Sequence, residues 1–136
     1  YIPSLENQEV GNIIFAIDTS SSIDKELLKE FLSELKEAVE LLSKEVTVIH
    51  CDTKVRKVEE VDTEDVDYIV PVGRGGTKFS PVFDYIEEND LEPKALVYFT
   101  DGQCYEQLVE PDYPVLWCIY DNPKFKEQFG IVSIVD

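Results

Sequence analysis

The stretch Ile-Ile-Phe-Ala-Ile-Asp-Thr-Ser-Ser-Ser, residues 13–22, decides the fold class of this chain. Its first five residues are all apolar, a length and pattern typical of a strand buried on both faces of a parallel sheet. Asp18 ends the apolar run, and serines follow it. Between Asp24 and Ser43 apolar residues recur at spacings of three and four, which predicts an amphipathic helix. A buried strand, a polar turn and a helix in this order predict an α/β fold.

The rest of the chain continues this alternation of strands and helices. A second helix is expected at about residues 80–89, with Pro81 in its first turn. Residues 54–61 are charged and predict an edge strand that folds back on its neighbour, because charge on an edge opposes aggregation. The segment 66–72 is ambiguous. We therefore expect a mainly parallel central sheet with an antiparallel edge strand. The remaining strands are predicted at residues 46–51, 95–99, 114–120 and 131–135.

Length and charge limit the domain organisation and the classes of partner. The 136 residues suit one domain, so we expect residues 1–136 to form a single domain with residues 1–11 as a leader to the first strand. Because the chain begins at Tyr1 and has no Met, we expect it to be a fragment of a longer protein. Its 29 acidic and 12 basic residues give a formal net charge of −17, which repels nucleic acid and anionic membranes. This charge favours basic partners or cations.

The cysteines indicate a reducing compartment. Cys51, Cys104 and Cys118 are odd in number and show no C-x-x-C spacing, so we expect free thiols and a cytoplasmic location. No apolar run approaches the length of about 18 residues that a membrane span needs, and no signal peptide is apparent. We therefore expect no membrane partner.

Five oxygen-bearing side chains form the candidate functional site. Asp18, Ser20 and Ser22 follow the first strand with the spacing D-x-S-x-S, and alternate residues of an extended loop point the same way. Asp101 follows the strand predicted at 95–99, and Thr77 lies in a glycine-rich loop. Ligands of open α/β sheets bind beyond the carboxyl ends of the strands. Oxygen-only ligands suit a hard cation such as Mg²⁺, with Mn²⁺ or Ca²⁺ as alternatives.

Each part of this set also has a purely structural interpretation. Ser21 or Ser22 is suited to cap the first helix, and Thr77 to cap the second. Thr-Asp-Gly at residues 100–102 is an ordinary turn after a strand. The combination of all the parts at one edge of the sheet is what favours a metal site.

The five positions resemble the metal-ion-dependent adhesion site (MIDAS) of von Willebrand factor A (VWA) domains, with its D-x-S-x-S motif, distant Thr and T-D-G Asp. The resemblance covers residues 12–136 and implies a Rossmann-like, three-layer VWA fold. It implies that Ser20, Ser22 and Thr77 contact the metal, and that Asp18 and Asp101 act directly or through water. It also implies a non-catalytic protein-protein interaction module, whose partner completes the metal shell with an acidic residue.

Further residues resemble a bacterial VWA-like subfamily. They are Cys51-Asp52, Gly75-Gly76-Thr77 with Phe79 and Pro81, Leu116-Trp117, and Phe129-Gly130. In that subfamily the domain usually follows a metallopeptidase-like domain, and relatives are often linked to AAA+ ATPases of the MoxR type, so the resemblance implies such a partner. Two departures are Ser21, where the family usually has Gly, and Ile23, where Met is common.

Two other functions compete with metal-dependent recognition. One is an Mg²⁺-dependent phosphohydrolase or phosphotransferase with Asp18 as nucleophile, although phosphatases of the haloacid dehalogenase type have D-x-D and this chain has Ser20 at the third position. The other is a metal-free scaffold. A phosphate-binding P-loop at residues 73–78 fails on spacing, because Thr77 separates Gly76 from Lys78. His50, the only His, is expected to serve as a structural hydrogen-bonding residue.

Overall fold

A computed structural model describes residues 13–42, 46–62 and 64–135. The expected leader at residues 1–11 and Ser43, the last residue of the predicted first helix, lie outside this range. Within it, two α-helices, α1 (Lys25–Leu42) and α2 (Ser80–Glu88), accompany one 3-10 turn, Val66–Tyr68. The described strands are β1 (Ile13–Asp18), β2 (Val46–Cys51), β3 (Val55–Val61), β4 (Ala95–Thr100), β5 (Val115–Tyr120) and β6 (Ile131–Val135).

The strands form one mixed sheet in the order β3-β2-β1-β4-β5-β6. Each neighbouring pair is parallel except β2 and β3, which are antiparallel. The predicted α/β class, the mainly parallel sheet and the antiparallel edge strand are therefore confirmed. The ambiguous segment 66–72 adds no strand, because after the 3-10 turn it runs as an irregular loop.

Helix α1 covers one face of the sheet. Phe31, Leu35 and Val39 are fully buried along one side of the helix, and Phe31 contacts Phe99 of β4 and Tyr120 of β5. The helix begins after Asp24, whose carboxylate accepts a hydrogen bond from the Leu27 amide at 2.8 Å. This bond is the usual N-cap contact. The interpretation of Ser21 or Ser22 as the cap is therefore wrong.

Helix α2 covers the opposite face, which gives the three layers of the expected fold. Trp117 of β5 is 2% exposed and lies among Phe79, Tyr98 and Phe129. Its indole N–H donates to the Phe129 carbonyl at 3.1 Å, so the buried polar atom has a partner. No helix among the described residues is long and apolar enough to span a membrane.

The carboxyl ends of β1, β2 and β4 meet at one edge of the sheet, which we call the carboxyl edge. The register places Asp18 beside Cys51 of β2 and Ile17 beside Phe99 of β4. The loops after these strands therefore leave the sheet side by side. They carry the D-x-S-x-S serines, Asp52 and Asp101.

Candidate metal site

Asp18 lies at the centre of the carboxyl edge. Its side chain is 1% exposed, and each of its two oxygens accepts a hydrogen bond. Oδ1 accepts from the Ser20 amide at 2.9 Å, and Oδ2 accepts from the Thr100 hydroxyl at 2.6 Å. Burial raises the pKa of Asp18, and the negative charge of Asp101 raises it further, while the bonds from Ser20 and Thr100 act in the opposite direction. A nearby cation would favour the ionised form of this carboxyl group.

The two serines of the motif converge. The hydroxyl oxygens of Ser20 and Ser22 are 3.2 Å apart. Adjacent ligands of an octahedral ion with metal-oxygen distances near 2.1 Å lie about 3.0 Å apart, so this separation fits two neighbouring ligands of Mg²⁺. Ser20 is 1% exposed, whereas Ser21 and Ser22 lie at the surface.

The glycine-rich loop is bonded to the serine turn. The Ser21 amide donates to the Gly75 carbonyl at 2.8 Å, and the Arg74 amide donates to the Thr19 carbonyl at 2.7 Å. Gly73 has a φ of +156°, and a Cβ atom there would lie 2.9 Å from Cβ of Thr19. Glycine, which has no Cβ atom, permits this close approach at Gly73. These contacts place the loop that carries Thr77 beside the turn that carries Ser20 and Ser22.

Asp52 binds the backbone of the glycine-rich loop, residues 73–77, through the Gly75 amide. This role was not predicted from the sequence. The residue is 1% exposed; Oδ1 accepts from Arg56 at 2.7 Å and from the Lys54 amide at 3.1 Å. Oδ2 accepts from the Gly75 amide at 2.9 Å. Burial alone would raise the pKa of Asp52, but the bonds from Arg56, Gly75 and Lys54 outweigh it and lower the pKa to about 2.

Asp101 directly follows β4 and supplies the second carboxylate of the candidate site. It is 8% exposed, and its Oδ1 accepts from the Gln103 amide at 3.1 Å. Its backbone carbonyl accepts from Asn122 at 3.0 Å. Thr100, which was predicted only as part of a turn, joins the two carboxylate segments. Its hydroxyl donates to Asp18 and accepts from the Gly102 amide at 3.0 Å.

Glu106 caps helix α2, which Thr77 does not do. Its Oε1 accepts from the amides of Phe79 at 2.8 Å and Ser80 at 3.0 Å, and its Oε2 accepts from the Ser80 hydroxyl. The side chain of the N-cap residue, Phe79, makes no capping hydrogen bond. Glu106 therefore links the loop after Asp101 to the start of the helix that follows Thr77. No sequence signal distinguishes Glu106, because acidic residues are frequent throughout the chain.

The geometry brings the five candidate residues to one edge by way of three segments that contact one another directly. Within residues 13–42, 46–62 and 64–135 no cluster of three or more His, Cys, Asp or Glu side chains is arranged to hold a metal. The candidate set has a different donor chemistry, with two carboxylates and three hydroxyls. Its paired serine oxygens and its buried carboxylate fit a hard cation.

Three basic residues lie at the carboxyl edge, where the candidate site is. Both arginines of the sequence, Arg56 and Arg74, lie at this edge, together with Lys78. Arg74 and Lys78 are exposed. Tyr105 is 98% exposed, while Cys104 packs against the core. Of Cys104 and Tyr105, which follow Asp101 in this loop, Tyr105 is thus the one that faces solvent.

His50 and the cysteines have structural roles. His50 is fully buried; its Nδ1 accepts from the Val72 amide at 3.4 Å, so its Nε2 donates to Glu59 at 2.6 Å. Burial lowers the pKa of His50, against the raising effect of Glu59. Cys51, Cys104 and Cys118 are free thiols, as expected. Burial raises the pKa of Cys51 to about 12, so this thiol stays protonated and unreactive near neutral pH.

The position of Asp18 disfavours a role as nucleophile. A nucleophilic carboxylate needs an oxygen that reaches the substrate, yet both oxygens of Asp18 accept hydrogen bonds from Ser20 and Thr100, and the residue is 1% exposed. This arrangement suits a carboxylate that orients its neighbours.

The chain is similar to known proteins over almost all of its length. A family model for the VWA-like domain (DUF2201) matches residues 13–136. An uncharacterized protein of Thermotoga maritima is 29% identical over 128 residues, which are 94% of this chain and 32% of that protein. The chain thus spans about a third of the length of this relative. The match to the family model, together with the six-stranded sheet covered on both faces by helices, shows that the chain belongs to the VWA-like domain (DUF2201) family.

Proposed function

We propose that this domain binds one divalent cation at the carboxyl edge and uses it to recognise an acidic group of a partner protein. Ser20, Ser22 and Thr77 would contact the ion, and Asp18 and Asp101 would act directly or through water. Mg²⁺ is the first choice, and Mn²⁺ and Ca²⁺ are alternatives. The observation that carries the proposal is the 3.2 Å separation of the two serine hydroxyl oxygens beside a buried carboxylate.

Electrostatics supports the same conclusion. The charges of Asp18 and Asp101 repel each other, and this repulsion adds to the effect of burial in raising the pKa of Asp18. A divalent cation between them would offset both the repulsion and the cost of burying Asp18. When bound, the ion would supply a Lewis acid that attracts an anionic oxygen from outside the domain.

The rim of the site suits an acidic ligand. The chain has a net charge of −17 and would repel an acidic partner over most of its surface. Arg74 and Lys78 are exposed at the carboxyl edge, where they would reduce this repulsion locally. Tyr105, which is 98% exposed, would add apolar contact area to an interface.

The wider context is part of the proposal. The family resemblance favours a module that is non-catalytic by itself, in a longer cytoplasmic protein behind a metallopeptidase-like domain. It also favours a MoxR-type AAA+ ATPase as the partner.

A pull-down with and without metal tests the proposed function. The native domain is immobilised and incubated with a MoxR-type ATPase in Mg²⁺ or in EDTA. We expect retention in Mg²⁺ only, and loss of retention in the double variant Ser20→Ala/Ser22→Ala, because both hydroxyl ligands are removed. The matched control is Ser33→Ala/Ser133→Ala, which changes two exposed serines remote from the site.

The controls separate three outcomes. Retention that is equal in Mg²⁺ and EDTA, and unaffected by either double variant, would favour a metal-free scaffold. Release of phosphate from an aryl phosphate by the native domain, abolished in Asp18→Asn, would favour the phosphohydrolase. Metal-dependent retention that survives Ser20→Ala/Ser22→Ala would place the ion elsewhere.

A further inference from the structure

A groove separates helix α2 from residues 107–113, the segment that leads into β5. Its volume is about 800 Å³. It is lined by residues of α2, by the segment 107–113 and by residues 90–93. We call it the acidic groove.

The floor of the acidic groove is apolar. Phe83, Leu108 and Tyr113 line it and pack against the core beneath. Leu91 and Val109 also line it, and they remain 37% and 88% exposed. Apolar side chains that stay exposed together in a concave surface typically mark a binding site.

The rim of the acidic groove is negatively charged. Its lining residues include six acidic side chains and no Lys, Arg or His. Burial raises the pKa of Tyr113 to about 12, and the charge of Glu87 adds to this effect. Carboxylates around an apolar surface focus a negative potential over it. The acidic lining residues are Asp84, Glu87, Asp90, Glu92, Glu110 and Asp112.

Hydrogen bonds hold the segment 107–113 and the end of α2, which lie on the two sides of the groove. Gln128 accepts from the Leu108 amide at 2.9 Å and donates to the Glu106 carbonyl at 2.7 Å, which holds the segment. The Leu91 amide donates to the Ile86 carbonyl at 2.9 Å, which holds the end of the helix. A groove that is formed before binding loses less conformational entropy when a ligand binds.

The acidic groove extends away from the candidate metal site. Residues 90–93 precede β4, and residues 112–113 precede β5, so this part of the groove lies at the amino ends of the parallel strands. The candidate ligands lie at the carboxyl ends. The two surfaces are therefore at opposite ends of the strands.

We propose that the acidic groove docks a basic, amphipathic segment of a partner protein, with apolar side chains on the floor and Lys or Arg side chains against the rim. Charge selects this occupant. A second copy of this chain carries the same net charge of −17 and is repelled, and nucleic acid is repelled by the rim. The apolar floor matches the apolar face of a basic amphipathic helix, and the acidic rim matches its positively charged face.

Fluorescence anisotropy with a labelled synthetic peptide tests this inference. The probe is a helix-forming peptide of about 14 residues with Leu on one face and Lys on the other. We expect saturable binding that weakens as salt rises from about 0.05 to 0.5 M, because charge attraction is screened. A peptide with Glu in place of Lys should not bind, and one with Ser in place of Leu should bind more weakly.

Matched variants locate the binding surface. Asp84→Asn/Glu87→Gln should weaken peptide binding about three- to tenfold, while Glu30→Gln/Glu37→Gln on helix α1 should leave it unchanged after the same loss of charge. Asp18→Asn and EDTA should have no effect, which separates this inference from the metal site. Equal weakening by both double variants would show attraction by net charge alone and overturn the proposal. No saturable binding of the Lys peptide would also overturn it.

Discussion

Replacing Asp52 with Asn should detach the glycine-rich loop from the sheet while leaving all five candidate ligands unchanged. Each oxygen of Asp52 faces N–H donors: Oδ1 faces Arg56 and the Lys54 amide, and Oδ2 faces the Gly75 amide. Asn has only one acceptor oxygen. Whichever way its amide group turns, an N–H of the side chain meets an N–H of the protein.

The expected cost follows from these contacts. With the Asn oxygen toward Arg56 and Lys54, the part-buried Gly75 amide loses its acceptor, which costs about 1–3 kcal/mol. The loss of charge at Arg56, which is 38% exposed, adds at most about 1 kcal/mol because water screens the pair. A total near 2 kcal/mol corresponds to a shift of the urea midpoint by about 1 M.

Urea unfolding at pH 7 and pH 3 measures this cost and its origin. The pKa of Asp52 is lowered from 3.8 to about 2, so its ionised form stabilises the fold above about pH 4, and the contribution is lost as pH falls toward 2. The gap between the native protein and Asp52→Asn should therefore shrink at low pH. Asp112→Asn, at an exposed position, is the control. Equal stability of the native protein and Asp52→Asn at pH 7 would refute the proposed anchor.

Three further predictions concern single side chains. Glu106→Ala should lower the free energy of unfolding by about 1–2 kcal/mol in urea titrations, because the amide and hydroxyl of Ser80 lose their cap acceptor. The pKa of His50 is lowered in the folded protein, so below about pH 6.5 the unfolded chain takes up a proton at this residue while the folded chain resists it. Between pH 7 and pH 5.5 the free energy of unfolding should therefore fall less for His50→Gln than for the native protein. An equal fall in both proteins would contradict this. The raised pKa of Asp18 means that its ionised form destabilises the metal-free fold at pH values above the usual pKa of an Asp side chain. In EDTA at pH 7, Asp18→Asn should therefore be at least as stable as the native protein in thermal unfolding. A clearly lower Tm of the variant would count against this.

The elements of the fold could be predicted because their signals are local. The run at residues 13–17 and the helical spacing after Asp24 each specify an element without knowledge of its neighbours. At no element end that the structure describes does it differ from the prediction by more than one residue. The mainly parallel sheet and its antiparallel edge strand were expected from the alternation of strands and helices and from the charge on residues 54–61. The carboxyl ends of parallel strands share an edge, which is why Asp18 and Asp101 were expected together.

The supports of the site could not be predicted, because they depend on which loops meet after folding. Asp52 lies 23 positions from Gly75 in sequence, and Glu106 lies 26 from Ser80. In a chain with 29 acidic residues, composition cannot single out the two carboxylates that hold backbone amides. The capping residue of α1 was likewise ambiguous among neighbouring polar side chains until Asp24 was seen to accept the Leu27 amide.

Calorimetric titration of Mg²⁺ into the metal-free domain, with Mn²⁺ as a second ion, measures whether the carboxyl edge binds one cation. We expect saturable binding of a single ion to the native protein and to Ser33→Ala/Ser133→Ala. We expect no binding to Ser20→Ala/Ser22→Ala, although that variant remains folded by circular dichroism. Absence of saturable binding to the native domain at millimolar metal, or unchanged binding after loss of both serine hydroxyls, would contradict the proposed metal site.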